Sequence, residues 1–201
     1  MPGNHSGGGA IVLHYYARKL LIENTRIWDA CEGVGVGRQH YPPVQDLIIR
    51  RSLFFGLVGP SVGGSDCKGH GIRITNARNV DLYHNTFDNI PDRAIRLGAD
   101  NGGAYVSDNF DVWNNLISNA AVWIDLHRPK VTNFESARNL FWHPDGSTSH
   151  LRLDLAATNL NGWRSATGQD SDSIHATRGS SPTRPPMTTT PSRARQPATS
   201  P

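Results

Sequence analysis

Residues 20–27, 47–54, 80–87, 110–117 and 134–141 can be written under one another so that the same residue types fall in the same columns. Columns one, three and eight are apolar, with Ser136 the exception. Column six holds Thr25, Ser52, Asn85, Asn115 and Asn139, spaced by 27, 33, 30 and 24 residues. A strand-like pattern that recurs every 20–50 residues or so is the signature of a solenoid, whose units bury their apolar faces only by stacking. Few other folds are compatible with it.

Within each segment the alternation has period two, which sends successive side chains to opposite faces of a strand. The apolar positions carry Val, Ile, Leu and Phe, residues suited to a pleated, half-buried surface. Clusters such as Gly98-Ala99-Asp100-Asn101-Gly102-Gly103 separate the segments and read as turns. No segment sustains a helical period beyond one turn. The polar column asks for a tight inward corner. There an Asn bonds the backbone of its own coil and the Asn above and below, satisfying groups that burial would leave unpaired. The competing reading is that these are surface turn residues, since Asn is common in turns. Five recurrences, each followed two positions later by Ile or Phe, favour the ladder. A second strand follows each corner: 34–36, 72–74, 95–97 and 122–124. Its outward column then reads Gly35, Arg73, Arg96 and Trp123.

These repeats resemble the right-handed parallel β-helix proteins of the pectate-lyase-like superfamily, over roughly residues 10 to 176. Residues 79–89 and 109–119 are the most typical coils. The closing run Asn139-Leu140-Phe141-Trp142, then residues 162–170, then Ser173-Ile174, is similar to the end of many secreted bacterial members. The resemblance implies an all-β, right-handed parallel β-helix of about five to six coils over residues 1–176. It also implies an extracellular location and several coils preceding those present here, which makes the chain a fragment. Residues 177–201 are rich in Pro, Thr, Ser and Arg and hold no Val, Ile, Leu or aromatic side chain, so they are expected to form a disordered tail. The family typically continues past Ala176 with Asp-Pro-x-Phe-Val. A one-base shift of GC-rich codons for residues 176–181 reads that way, and the tail is therefore a candidate frameshift product.

The chain's +3 formal charge is misleading as a guide to partners. All 17 acidic residues lie at or before Asp172, and residues 1–176 carry −1; Arg178, Arg184, Arg193 and Arg195 supply the excess. Without a basic stripe, a nucleic-acid partner is not expected. No apolar run of 18 residues marks a membrane span, and no cationic, apolar leader follows Met1. Cys31 and Cys67 lie one coil apart and are open to two readings, a disulfide or two buried thiols.

Ligands of this superfamily usually lie along an exterior strand face, so the resemblance points to a polysaccharide or oligosaccharide at the stripe. Arg73, Trp123 and Arg128 are the candidate binding residues, since Trp covers a sugar ring and Arg forks match carboxylates. Asp125, His127 and Arg96 are the candidate catalytic residues. A hydrolase needs two carboxyls about 5–10 Å apart, for which Asp125 with Asp100 or Asp92 is a candidate pair. A uronate lyase needs a base at the α-proton and a cation for the carboxylate, for which Arg73, Arg96 or His127 are available. The bland alternative is a solvated face with no ligand. Cys67-Lys68-Gly69-His70-Gly71 has the Gly-His-Gly run of polygalacturonases, but their acidic motifs are missing, so coincidence is the default. No cluster has calcium-loop or zinc spacing; no metal or cofactor is expected, and the monomer is the expected state. A carbohydrate-active protein is the first expectation, a non-catalytic surface or adhesion-type protein the second, and an inactive fragment the third.

Overall fold

The computed structural model describes residues 9–14, 16–37, 42–59, 67–98 and 106–177. The expectations for residues 178–201 lie outside them. The described strands are β1 (Gly9–Leu13), β2 (Arg18–Glu23), β3 (Arg26–Trp28), β4 (Glu32–Val36), β5 (Val44–Arg50), β6 (Leu53–Phe55), β7 (His70–Ile74) and β8 (Ala77–Tyr83). They continue as β9 (Thr86–Leu97), β10 (Ser107–Trp113), β11 (Leu116–Leu126), β12 (Val131–Ala137), β13 (Leu140–Trp142), β14 (Leu151–Leu153), β15 (Ala156–Thr158) and β16 (Ile174–Ala176). Among the described residues one α-helix, α1 (Leu160–Thr167), lies before the last strand.

The fold is all-β, with two parallel sheets. The smaller runs β12-β10-β8-β5-β2, and the larger has eleven strands along the path β1-β4-β7-β9-β11-β13-β16. Every described pairing is parallel except β14 with β15. The chain alternates between the sheets: β5, β8, β10 and β12 are each followed by a strand of the larger sheet. The aligned columns become registers: Leu47 lies beside Val80, Val80 beside Phe110, and Phe110 beside Phe134.

Between the sheets the polar column forms a continuous ladder. Thr25 N–H donates to Ser52 Oγ, Ser52 N–H to Asn85 Oδ1, Asn85 N–H to Asn115 Oδ1 and Asn115 N–H to Asn139 Oδ1, at 3.0–3.3 Å. Asn139 N–H then donates to Ser173 Oγ at 2.8 Å, a further rung that the sequence columns did not include. The side-chain amides of Asn85, Asn115 and Asn139 reach back to Ile49 O, Leu82 O and Val112 O. The residue preceding each corner (Asn24, Arg51, His84, Asn114, Arg138) has φ of 50–56°, the left-handed region that turns the chain.

The apolar columns form one core in which aromatic rings stack across repeats, Phe54 on Phe87 and Trp123 on Phe141, each pair with centroids 4.9 Å apart. Helix α1 is fixed at its start by Asn159 Oδ1, which accepts from Gly162 N–H, and at its end by Gly168 at φ 71°. It buries Leu160 and Trp163, the latter edge-on to Phe134. Helix α1 therefore covers part of the last described apolar face, and Ile174 remains 64% exposed. Cys31 and Cys67 are joined in a disulfide with Cα atoms 4.4 Å apart.

Candidate functional site

The outward face of the larger sheet carries a dense charged cluster. Two columns build it. Glu32 on β4 registers with His70 on β7, and Gly35 registers with Arg73, Arg73 with Arg96, and Arg96 with Asp125 on β11. Asp92 and Arg93, within β9 beside the register shift of β11, complete it. Arg73 donates to Glu32 through Nε at 2.5 Å and Nη2 at 3.1 Å, a two-pronged contact. Arg93 donates to Asp125 Oδ2 at 2.5 Å and also pairs with Asp92, and Arg96 Nε lies 3.6 Å from the same Asp125 oxygen. His70 sits beneath, 1% exposed, with Nδ1 3.5 Å from Glu32 Oε1 and Nε2 3.1 Å from Asp92 Oδ2. Those separations allow electrostatic attraction, but neither ring nitrogen is aligned for a linear hydrogen bond.

Burial raises the Glu32 carboxyl's proton affinity, yet the contacts and charges of His70 and Arg73 together outweigh it and hold the pKa at about 2. Asp92 follows the same balance: burial raises it, and His70 and Arg93 bring it below the ordinary value. Both are carboxylates at neutral pH. They can accept a proton or orient a cation but cannot serve as a carboxylic acid donor.

Of the sequence candidates, Arg73, Arg96 and Asp125 come together here. Trp123 does not, and its expected place on the outward stripe is corrected. In the β11–β9 register Ile124, not Val122, pairs with Ile95, two residues from the sequence alignment, so Asp125 rather than Trp123 falls beside Arg96. Trp123 is left opposite Ala94, fully buried against Phe141; a core ring cannot stack on a sugar. Arg128 is engaged elsewhere, pairing with Asp154 at 2.6 Å and donating to Ala166 O. His127 lies just past the end of β11, where its backbone N–H donates to Leu97 O. The carboxylate pair suggested with Asp100 lies outside the described residues. Sequence reasoning missed Glu32 and Arg93, and dismissed His70. The one signal for His70 was the Gly-His-Gly run, whose Gly71 admits no side chain: a Cβ there would lie 2.5 Å from Ala94 O.

The smaller sheet offers a second surface. A cleft lined by Asp111, Trp113, Glu135 and Arg138 lies beside Tyr83, whose ring stacks on Trp113 with centroids 5.2 Å apart. The Arg138 guanidinium sits 5.2 Å over the Trp113 ring. Asp81 registers with Asp111; burial and then the Asp111 charge raise its proton affinity. No protein-family model, curated protein or solved structure matches the chain. Among the described residues no helix is long and apolar enough to cross a membrane.

Proposed function

We propose that the chain is a right-handed parallel β-helix protein of the pectate-lyase-like type that binds an acidic polysaccharide along the outward face of its larger sheet and cleaves it by β-elimination. The observation that carries this reading is the Glu32–His70–Asp92 and Arg93–Asp125–Arg96 cluster. A merely solvated face has no reason to bury a histidine between two carboxylates or an aspartate under two guanidiniums, given what desolvation costs. Partly exposed Arg73 and Arg96 would meet a uronate carboxylate, and Asp125 would hold Arg93 and Arg96 in place. Asp92, the most exposed carboxylate of the cluster and oriented by His70 below, would take the α-proton and return it to the departing glycosidic oxygen as the C4–O bond breaks and the C4–C5 double bond forms. Elimination is favoured over hydrolysis because Glu32 and Asp92 are held ionised, which leaves neither available as the protonated acid that hydrolysis requires. The Cys31–Cys67 disulfide supports an extracellular location.

A second reading is a non-catalytic polysaccharide-binding or adhesion-type protein. The Tyr83–Trp113–Arg138 platform favours it, since stacked aromatics suit sugar rings without any chemistry. Both readings are tested by incubating the chain with polygalacturonate, alginate and neutral glucans while following unsaturated uronate absorbance and reducing ends. The elimination reading expects unsaturated product from a uronate polymer, and a loss of about 100-fold or more in Asp92→Asn. Binding without product, abolished by Trp113→Ala but not by Asp92→Asn, would establish the second reading instead. Neither binding nor product would overturn both.

A further inference from the structure

Three side chains of the loop between β13 and β14 meet at one point. His143 Nδ1 lies 2.7 Å from Asp145 Oδ1, and His150 Nε2 lies 3.1 Å from Asp145 Oδ2. The two imidazoles stack with centroids 3.8 Å apart and planes 26° from parallel. All three donor atoms fall within 4.8 Å of one another.

The hydrogen bonding around the cluster shows what it needs. His150 Nδ1 is 3.1 Å from the carbonyl oxygen of Ala121. A carbonyl only accepts, so Nδ1 carries the proton, and in the neutral ring Nε2 presents a lone pair. That lone pair faces a carboxylate, and two acceptors at 3.1 Å repel. His143 poses the same problem: the Asp145 backbone N–H donates to its Nδ1 at 3.4 Å, while Asp145 Oδ1 stands 2.7 Å away. Protonating both rings would give two imidazolium ions stacked at 3.8 Å, which repel one another. One cation bound jointly by the two nitrogens and the carboxylate removes the repulsion between each nitrogen and the carboxylate, and displaces the long 3.4 Å contact from the Asp145 N–H.

We propose that His143, Asp145 and His150 bind a single divalent transition-metal ion of the zinc class. Two imidazoles and one carboxylate are the donors such ions take, whereas calcium and magnesium prefer all-oxygen sets. Tetrahedral ligands at 2.0–2.1 Å from zinc stand roughly 3.3 Å apart, close to the 2.7 and 3.1 Å seen here. The Ala121 carbonyl supplies the outer-shell contact that fixes a ligating histidine's tautomer, and Ser147 N–H donates to Asp145 Oδ1 at 2.8 Å to fix the carboxylate. Three protein ligands leave a fourth position for water or substrate. His150 immediately precedes β14, which registers Arg152 beside Asp125, so the site lies at the same sheet as the charged cluster. It stands without regard to the polysaccharide reading.

The untagged chain, stripped with a chelator, is titrated with zinc chloride and cobalt chloride by calorimetry. Cobalt binding is also followed through the fluorescence of Trp123, whose ring lies 5.2 Å from that of His150. One equivalent of each ion is expected to bind, with calcium giving no heat. Asp145→Asn, nearly isosteric and on an exposed loop, is expected to weaken zinc by tenfold or more, and His143→Ala/His150→Ala to abolish the stoichiometric site while melting like the parent. Zinc binding of equal affinity in parent and double variant, or no zinc binding by the parent, overturns the proposal; the latter leaves a histidine pair that shares a proton.

Discussion

Asn115 meets every polar demand of its corner at once. Its backbone N–H donates to Asn139 Oδ1, its side-chain Oδ1 accepts from Asn85 N–H, and its side-chain nitrogen donates to Leu82 O. All of this happens at 2% exposure, where water cannot substitute. Leucine has the same branched set of four side-chain heavy atoms, though larger, and none of these groups, so Asn115→Leu leaves the Asn85 N–H and the Leu82 carbonyl unpaired. Each buried orphan costs about 1–3 kcal/mol. The expected outcome is a clear drop in melting temperature with unchanged oligomeric state; an unaltered melt would show that the ladder is not what holds these corners. The preceding residue contributes differently: Asn114 at φ 55° is in a region that asparagine tolerates better than most side chains.

At the scale of strands, Glu32 and Arg73 tie β4 to β7 across their outward face. Glu32 has its pKa depressed to about 2 from 4.5. The contribution is therefore fully present above pH 4.5 and lost as pH falls towards 2; over that span it amounts to something on the order of 3 kcal/mol. Arg73→Met removes the two-pronged contact, so the variant should melt below the parent at pH 6 and the difference should close as pH falls towards 2. Thermal melts from pH 6 to 2 check this, and an acid limb identical in variant and parent would refute it. The strands themselves were legible in the sequence because period-two alternation and the polar column point to one register. The Glu32–His70 column was not, since it lies two residues before the aligned Val34 and Ile72, separated from them by Gly33 and Gly71. Trp123 was misplaced because the aligned triplets 95–97 and 122–124 are two residues out of the true register, a slip that period-two alternation does not reveal. Helix α1 had its signals, Asn159 before and Gly168 after, but eight residues are too few to display a helical period. His143, Asp145 and His150 match no familiar ligand spacing because a turn folds the loop back, and spacing alone does not reveal a turn.

Across the whole molecule the repeats contact chiefly their neighbours, so stability should be a sum of local terms and nearest-neighbour interfaces. The C-terminal end tests this. Trp163 is fully buried, its indole N–H donates to Asp170 Oδ2 at 2.9 Å, and Asp170 Oδ1 accepts from Asn139 Nδ2 and from Ser173 Oγ. One side chain thus links helix α1 to the last two rungs of the ladder. Trp163→Ala removes a large ring from the core and withdraws a hydrogen bond from Asp170, which should cost about 3–5 kcal/mol locally. If each repeat leans only on its neighbours, the loss is confined: amide exchange should accelerate in β12, β13 and β16 while β5 and β8 keep most of their protection. The continuous ladder and the stacked interior rings argue for the opposite, a single cooperative block in which damage at one end lowers protection everywhere. The nearest-neighbour outcome is the expected one, because each rung is bonded only to those on either side. A uniform fall in protection from β5 through β16 would show that the ladder couples the repeats more strongly than their packing does.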